Sequence, residues 1–182
     1  MRYMLTADTH LGHKKMHEEH WRPEGYEEKI HKGIMEEVKD DDVLIHLGDV
    51  SLGDDADMHE KYVKLWPGSK IMIRGNHDKK SDAFYLTHGW DGVFEALFLD
   101  KFGKKILLSH IPMADSPMFD VNVHGHFHDH EHATIRAKEP EIAAILCYKH
   151  MLLSIEQTHY RPIPLQTMVQ QFDARGGVNP WA

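Results

Sequence analysis

Cysteine is almost missing from this 182-residue chain: Cys147 stands alone. No internal disulfide can form, and a reducing, cytoplasmic setting fits. Long apolar runs are missing as well. No stretch approaches the ~20 apolar residues of a membrane-spanning helix, and the opening MRYMLTADTHLG reaches Asp8 too early to hold a secretory apolar region. Basic residues are in deficit, with 21 Lys and Arg against 29 Asp and Glu for a net charge of −8. Phosphate polymers and acidic membranes are repelled by such a balance at long range, so long nucleic acid and membrane are not expected partners. A small phosphoester is still allowed, because bound cations reverse the field locally. No repeat, low-complexity segment or linker divides the chain. The expectation is one domain over residues 1–175 and a loose tail over 176–182.

Histidine is the residue in excess, at 17, and its placement carries the argument. Apolar runs at 2–7, 43–47, 70–73, 93–99, 104–108, 121–123 and 151–156 read as strands, with 101–103 turning a hairpin. Tyr26, Ile30, Ile34 and Val38 recur every four residues and predict a helix. A second helix begins after Gly53 and Asp54 and sets Met58, Tyr62, Leu65 and Trp66 on one face. A third, capped by Ser81 or Asp82, stops at Gly89, and Leu165, Met168, Val169 and Phe172 fit a closing helix. Residues 141–146 suit either helix or strand.

Five of these strands run into clusters of Asp, Asn, His and Gly: Asp8 with His10, Asp49, Asn76 with His77, His110, and His126 with His128. In open α/β sheets, sites form in the loops leaving the carboxyl ends of strands, so the five clusters converge. Oxygen and imidazole donors without thiolate suit Mn, Fe, Zn, Co or Ni. Seven ligands, Asp8, His10, Asp49, Asn76, His110, His126 and His128, exceed what one tetrahedral zinc needs and suit two metal ions. Two carboxylates against two divalent cations leave about +2, enough to hold an anion.

In order, the clusters read Asp8-Thr9-His10, Gly48-Asp49, Gly75-Asn76-His77-Asp78, His110 and Gly125-His126-Phe127-His128. This set resembles the calcineurin-like metallophosphoesterase superfamily. Asp-Thr-His-Leu-Gly-His at 8–13, His-Leu-Gly-Asp at 46–49 and Tyr160-Arg161-Pro162-Ile163 resemble its small stand-alone bacterial and phage members. The resemblance implies an α/β fold, a β-sandwich flanked by helices in four α/β/β/α layers. It implies one metal on Asp8, His10, Asp49 and His128 and another on Asp49, Asn76, His110 and His126, with Asp49 bridging. A bridging hydroxide would attack phosphorus in line. His77 would assist the leaving group, with Asp78 orienting its imidazole. Manganese is the first expectation for both divalent ions, with Fe, Zn, Ni or Co as alternatives.

Other residues are read more plainly. His13, Arg22 and Arg74 are candidate substrate-phosphate contacts, each also compatible with a structural role. His46 is expected to be buried and hydrogen-bonded, and Gly125 sets the register that leaves His124 out of the cage. His130 and His132 are expected to be solvated, and Cys147 inert. A phosphodiesterase acting on small or cyclic nucleotide-like substrates is preferred over a phosphomonoesterase. The rival from another class is a non-catalytic metal-binding scaffold, which should have lost His77 or several ligands.

Overall fold

Alternation along the first strands decides the layering. The structure, a computed structural model, describes residues 1–18 and 22–181. In it β1 (Tyr3–Thr6), β2 (Val43–His46) and β3 (Ser69–Ile73) lie parallel. Successive side chains of a strand point to opposite faces. Leu5, Ile45 and Ile73 therefore enter a core shared with a second sheet, while Met4, Leu44 and Met72 face a separate helix-covered core. Parallel β4 (Gly92–Phe94) and antiparallel β9 (Ile163–Pro164) complete a five-stranded sheet of order β4-β3-β2-β1-β9.

The second sheet has order β5-β6-β7-β8, from β5 (Ala96–Lys101), β6 (Lys104–Ser109), β7 (Val121–His124) and β8 (His150–Leu152). Its Ile106, Leu108, Val121, Val123 and Met151 meet the first sheet across the shared core. The remaining elements cover the outer faces. The short helix α1 (Lys15–Glu18) leads toward α2 (Tyr26–Glu37), which sets Tyr26, Ile30 and Ile34 on the outer core beside Trp66, Tyr85 and Trp90. On the same side lie α3 (Asp55–Lys61) and α4 (Asp82–Thr87). On the far side α5 (His132–Lys138) and α6 (Pro140–Ala143) supply Ile135 and Ala143 to a cluster with Phe127, Leu146 and Leu152. Finally α7 (Leu165–Ala174) inserts Leu165, Met168 and Val169 into the shared core. The result is the expected pair of sheets flanked by helices.

Several local expectations change. The run at 93–99 is not one strand: the chain leaves the first sheet at Phe94 and enters the second at Ala96. Phe102 and Gly103 turn the β5–β6 hairpin with φ of 55° and 70°, the paired positive values that match strand twist. The face expected to carry Leu65 inward fails there. α3 ends at Lys61, Val63–Leu65 is a 3-10 turn, and the tighter period leaves Leu65 57% exposed while Tyr62 and Trp66 stay buried. The strand expected at 151–156 stops at Leu152, because Ser154 to Tyr160 folds into turns through Thr158 N to Ser154 O and Tyr160 N to Ile155 O. Residues 141–146, open between helix and strand, begin in helix α6, with Pro140 at its first turn. The segment read as a loose tail is held at Trp181, whose indole N–H donates to His150 O at 3.3 Å. Among the described residues no helix is long and apolar enough to cross a membrane.

Candidate metal centre

Parallel strands deliver their carboxyl ends to one side, and there the backbone is forced into an unusual shape. Asp8, His10, Asp49, His126 and His128 have φ of 54°, 46°, 59°, 75° and 52°. The left-handed region costs an L-residue ~1–2 kcal/mol, so five such positions are kept only because their surroundings hold them. Crossed amide bonds do part of this: Asp8 N donates to Gly48 O at 3.0 Å, and His10 N to Asp49 O at 3.0 Å. Glycine does the rest. A Cβ on Gly125 would lie 2.5 Å from Asp8 Oδ2, and one on Gly75 would collide with the Asp49 carboxylate.

The donor atoms are brought into mutual contact. Asn76 Oδ1 lies 2.8 Å from His110 Nε2 and 3.0 Å from His126 Nδ1. Asp49 Oδ2 lies 3.4 Å from His110 Nε2 and 3.6 Å from His10 Nε2. Asp8, His10 and His128 offer atoms within 4.8 Å of one another, and so do Asp8, Asp49 and His110. Ligands ~2.0–2.2 Å from one ion sit ~3 Å apart, so these spacings fit shared cations. Ring tautomers agree. A carbonyl can only accept, so His110 Nδ1–H donates to Leu47 O at 2.7 Å and turns the Nε2 edge to the cage. His126 Nε2 meets Glu139 Oε2 at 2.8 Å, which turns Nδ1 inward. His10 is buried with neither ring nitrogen hydrogen-bonded among the described residues. A buried imidazole left unpaired is costly, and a cation removes the cost.

Charge follows the same geometry. Burial pushes the Asp8 carboxyl up, only partly offset by His110 and His128. Burial opposes ionisation of Asp49 too, but the His110 hydrogen bond and the His110 and His10 imidazoles hold it well below the carboxylate range. Burial alone would lower His110, yet Asp49 and Asp8 carry it up to about 9. His10 is driven well below the ordinary imidazole value by burial. Two carboxylates thus hold positive charge at His110, a role that a divalent cation would take over with release of the proton.

The other expected site residues divide. His77 turns a half-exposed ring to the site, with its amide on Asp49 Oδ1 at 2.8 Å and its ring 5.6 Å from that of His10. With His10, His13, Met16, His128, Asp129, His130 and Glu156 it lines a cavity of about 190 Å³. Asp78, expected behind the His77 imidazole, is spent elsewhere. Its Oδ2 accepts from Asp49 N at 2.7 Å and Gly75 N at 2.8 Å, and its Oδ1 from Val50 N at 3.1 Å, tying together the loops that carry Asp49 and Asn76. Arg22, a candidate phosphate contact, is buried: its guanidinium donates to Thr9 O at 2.7 Å, Asp8 O at 2.6 Å and Glu156 Oε1 at 2.6 Å. Arg74 donates to Asp78 O and Lys80 O and pairs with Asp82 and Glu95, so its fork is also committed within the protein.

His46 is buried as expected. Gly48 N donates to its Nδ1, so Nε2–H donates to Thr9 Oγ1 at 2.9 Å, and burial lowers its pKa to about 3. His124 is buried with Nδ1 donating to Gly125 O at 3.0 Å, outside the cage. His130 and His132 are half-buried rather than solvated: His130 lines the cavity and His132 packs on Trp181.

Two carboxylates escaped the sequence reading. Glu139 holds His126, and Glu156 joins Arg22 to His128, whose Nδ1 is 3.5 Å away. Burial acts against the Glu156 charge, but His128 and Arg22 together hold its pKa well below the ordinary value. Neither residue lies in a recognisable motif.

The model of the family described as calcineurin-like phosphoesterase matches residues 1–151. An uncharacterised protein of Methanocaldococcus jannaschii is 28% identical over 172 residues, which is 91% of this chain and 88% of that protein. A protein of unknown function from Aquifex aeolicus has a similar fold, with a TM-score of 0.72 at 24% identity, covering 93% of this chain and 98% of its own. A Pseudomonas putida nuclease is a looser likeness, with a TM-score of 0.48 at 21% identity over 70% of this chain and 62% of that one.

Proposed function

This chain belongs to the calcineurin-like phosphoesterase family and is a metal-dependent phosphoesterase, and from that premise we propose that it hydrolyses small phosphodiesters at a two-cation centre. The observation that carries this reading is the convergence of seven donor residues: Asp49, His10, Asn76, His110 and His126 have neighbouring atoms 2.8 to 3.6 Å apart, and Asp8 and His128 offer atoms within 4.8 Å of that set. One cation would take Asp8, His10, Asp49 and His128. The other would take Asp49, Asn76, His110 and His126. Support for a bridging Asp49 is its Oδ2, which lies close to both His10 Nε2 and His110 Nε2. Manganese is the first choice, with Fe, Zn, Ni or Co also compatible with nitrogen and oxygen donors.

When bound, such cations set positive charge against the phosphoryl oxygens and ready water for attack at neutral pH. The protein's own residues then divide the work. His77 stands beside the donor atoms rather than among them, and it protonates the departing oxygen. Glu139 and Glu156 orient His126 and His128. Asp78 and Arg22 fix the backbone of the loops that carry Asp49 and Asp8.

The test is a substrate panel of bis-p-nitrophenyl phosphate, p-nitrophenyl phosphate and 2′,3′-cyclic nucleotides with manganese-loaded protein. Diester turnover should exceed monoester turnover, and His77→Ala should lower kcat by ~10²–10⁴ while metal content stays the same. Faster turnover of the monoester than of every diester would overturn the diester preference. Undiminished kcat in His77→Ala would remove His77 from the mechanism.

A further inference from the structure

Two cavities border the donor cluster at different residues and share no lining residue, and their linings differ in kind. The first, of about 190 Å³, contains His77 and borders His10 and His128. The second, of about 370 Å³, borders Asn76 and His110 and is lined by Arg74, Lys79, Glu95, Ile111 and Met113. The small cavity is walled by imidazoles and by Asp129 and Glu156. Such walls offer hydrogen bonds to hydroxyls and repel an anion. It holds the volume of about six waters at ~30 Å³ each, room for a small polyol. The larger cleft shows exposed Ile111 and Met113, with Lys79 and the Arg74–Glu95 ion pair at its margin. An apolar surface beside a cation suits a flat, partly apolar and polar-edged group.

A phosphodiester centred on the donor cluster would have one of these cavities on offer to each ester arm. Resting on the hydrolase reading above, we infer that the substrate is an asymmetric phosphodiester: a small hydroxylated alcohol departs from the His77 cavity, and a larger nucleoside-like arm stays on phosphate in the Lys79–Ile111–Met113 cleft. Water oxygen bonds to phosphorus, and the bond from phosphorus to the small-arm oxygen breaks with its electron pair on that oxygen. Protonated His77 gives that oxygen its proton, so the alcohol leaves neutral. One water proton recharges His77, and the other leaves with the new phosphomonoester. A polynucleotide cannot use this geometry, because its departing arm would be a nucleoside with chain attached.

Product partition tests this within one molecule. Uridine 5′-phosphate esterified to glycerol can be cut on either side of phosphorus: to glycerol and uridine monophosphate, or to glycerol phosphate and uridine. With manganese-loaded protein and mass-spectrometric product analysis, the first pair should exceed the second by about tenfold or more, the scale of discrimination by pocket fit. His130→Ala, which widens the small cavity, should bring the ratio toward unity, an effect that loss of stability alone does not produce. An even or reversed ratio in the wild type overturns the assignment of arms. So does an unreactive glycerol diester when bis-p-nitrophenyl phosphate is hydrolysed. Failure to hydrolyse either compound overturns the hydrolase reading itself.

Discussion

Replacing Arg22 by methionine separates a structural arginine from a substrate-binding one. The side chain is fully buried, and its guanidinium makes bonds of 2.6 to 2.8 Å to Asp8 O, Thr9 O and Glu156. Methionine keeps most of the volume and none of the donors. Two carbonyls then lose their partner, and Glu156, whose side chain is only 14% exposed, keeps its charge without the guanidinium. Breaking a buried pair by removing one partner costs ~3–5 kcal/mol, which at ~2–4 °C per kcal/mol for a chain this size lowers Tm by roughly 6–20 °C. The measurement is urea unfolding with chelator present, so that metal binding does not enter. Adding Glu156→Gln should recover ~1–3 kcal/mol, because the two residues share one network. An Arg22→Met protein within ~0.5 kcal/mol of wild type, with KM raised more than tenfold, would refute the reasoning and return Arg22 to the substrate.

Two further outcomes follow from Glu139, which touches the cage residue His126, and from Asp42, which lies in a separate Arg2 pairing. Glu139→Ala frees His126 Nε2 and should weaken one of two metal sites by ~10–100-fold, whereas Glu139→Gln, which still offers an oxygen, should retain most of the affinity; calorimetric titration with Mn²⁺ reads both, and unchanged binding in the alanine variant contradicts the role. The Arg2 hydrogen bonds hold Asp42 down to about 2, below its usual ~3.9, so the stability it contributes is present above that usual value and is lost as pH falls toward 2. Melting curves of Asp42→Asn should therefore fall less steeply than wild type between those limits, and parallel curves would count against the pairing.

The site was more legible than its supports. Asp8, His10, Asp49, Asn76, His110, His126 and His128 announced themselves because each follows a strand, and parallel strands must deliver their ends to one side. The glycines between them were legible for a related reason: Gly75 and Gly125 sit where a Cβ would strike Asp49 or Asp8. Glu139 and Glu156 were not legible, since their partners lie 13 and 28 residues away, at His126 and His128, and no periodicity encodes such pairings. Arg22 and Arg74 stayed open between a phosphate contact and a structural role because residue type says nothing about how many neighbours already claim a guanidinium. Asp78 was misjudged for the same reason. Adjacency to His77 in sequence suggested a pairing, while the fold turns its carboxylate to three backbone amides. The layering was readable from strand alternation, but the crossing between sheets at Glu95 was not, because one charged residue inside an apolar run is equally what a solvent-facing strand position looks like.

The central claim is that these seven residues hold two cations and that hydrolysis depends on both. Titrating chelator-stripped protein with Mn²⁺ while following bis-p-nitrophenyl phosphate hydrolysis tests it most directly. Activity should be absent in the stripped protein and rise to saturation at about two equivalents. Two bound cations without turnover of any phosphoester, or hydrolysis that persists in chelator, would contradict it.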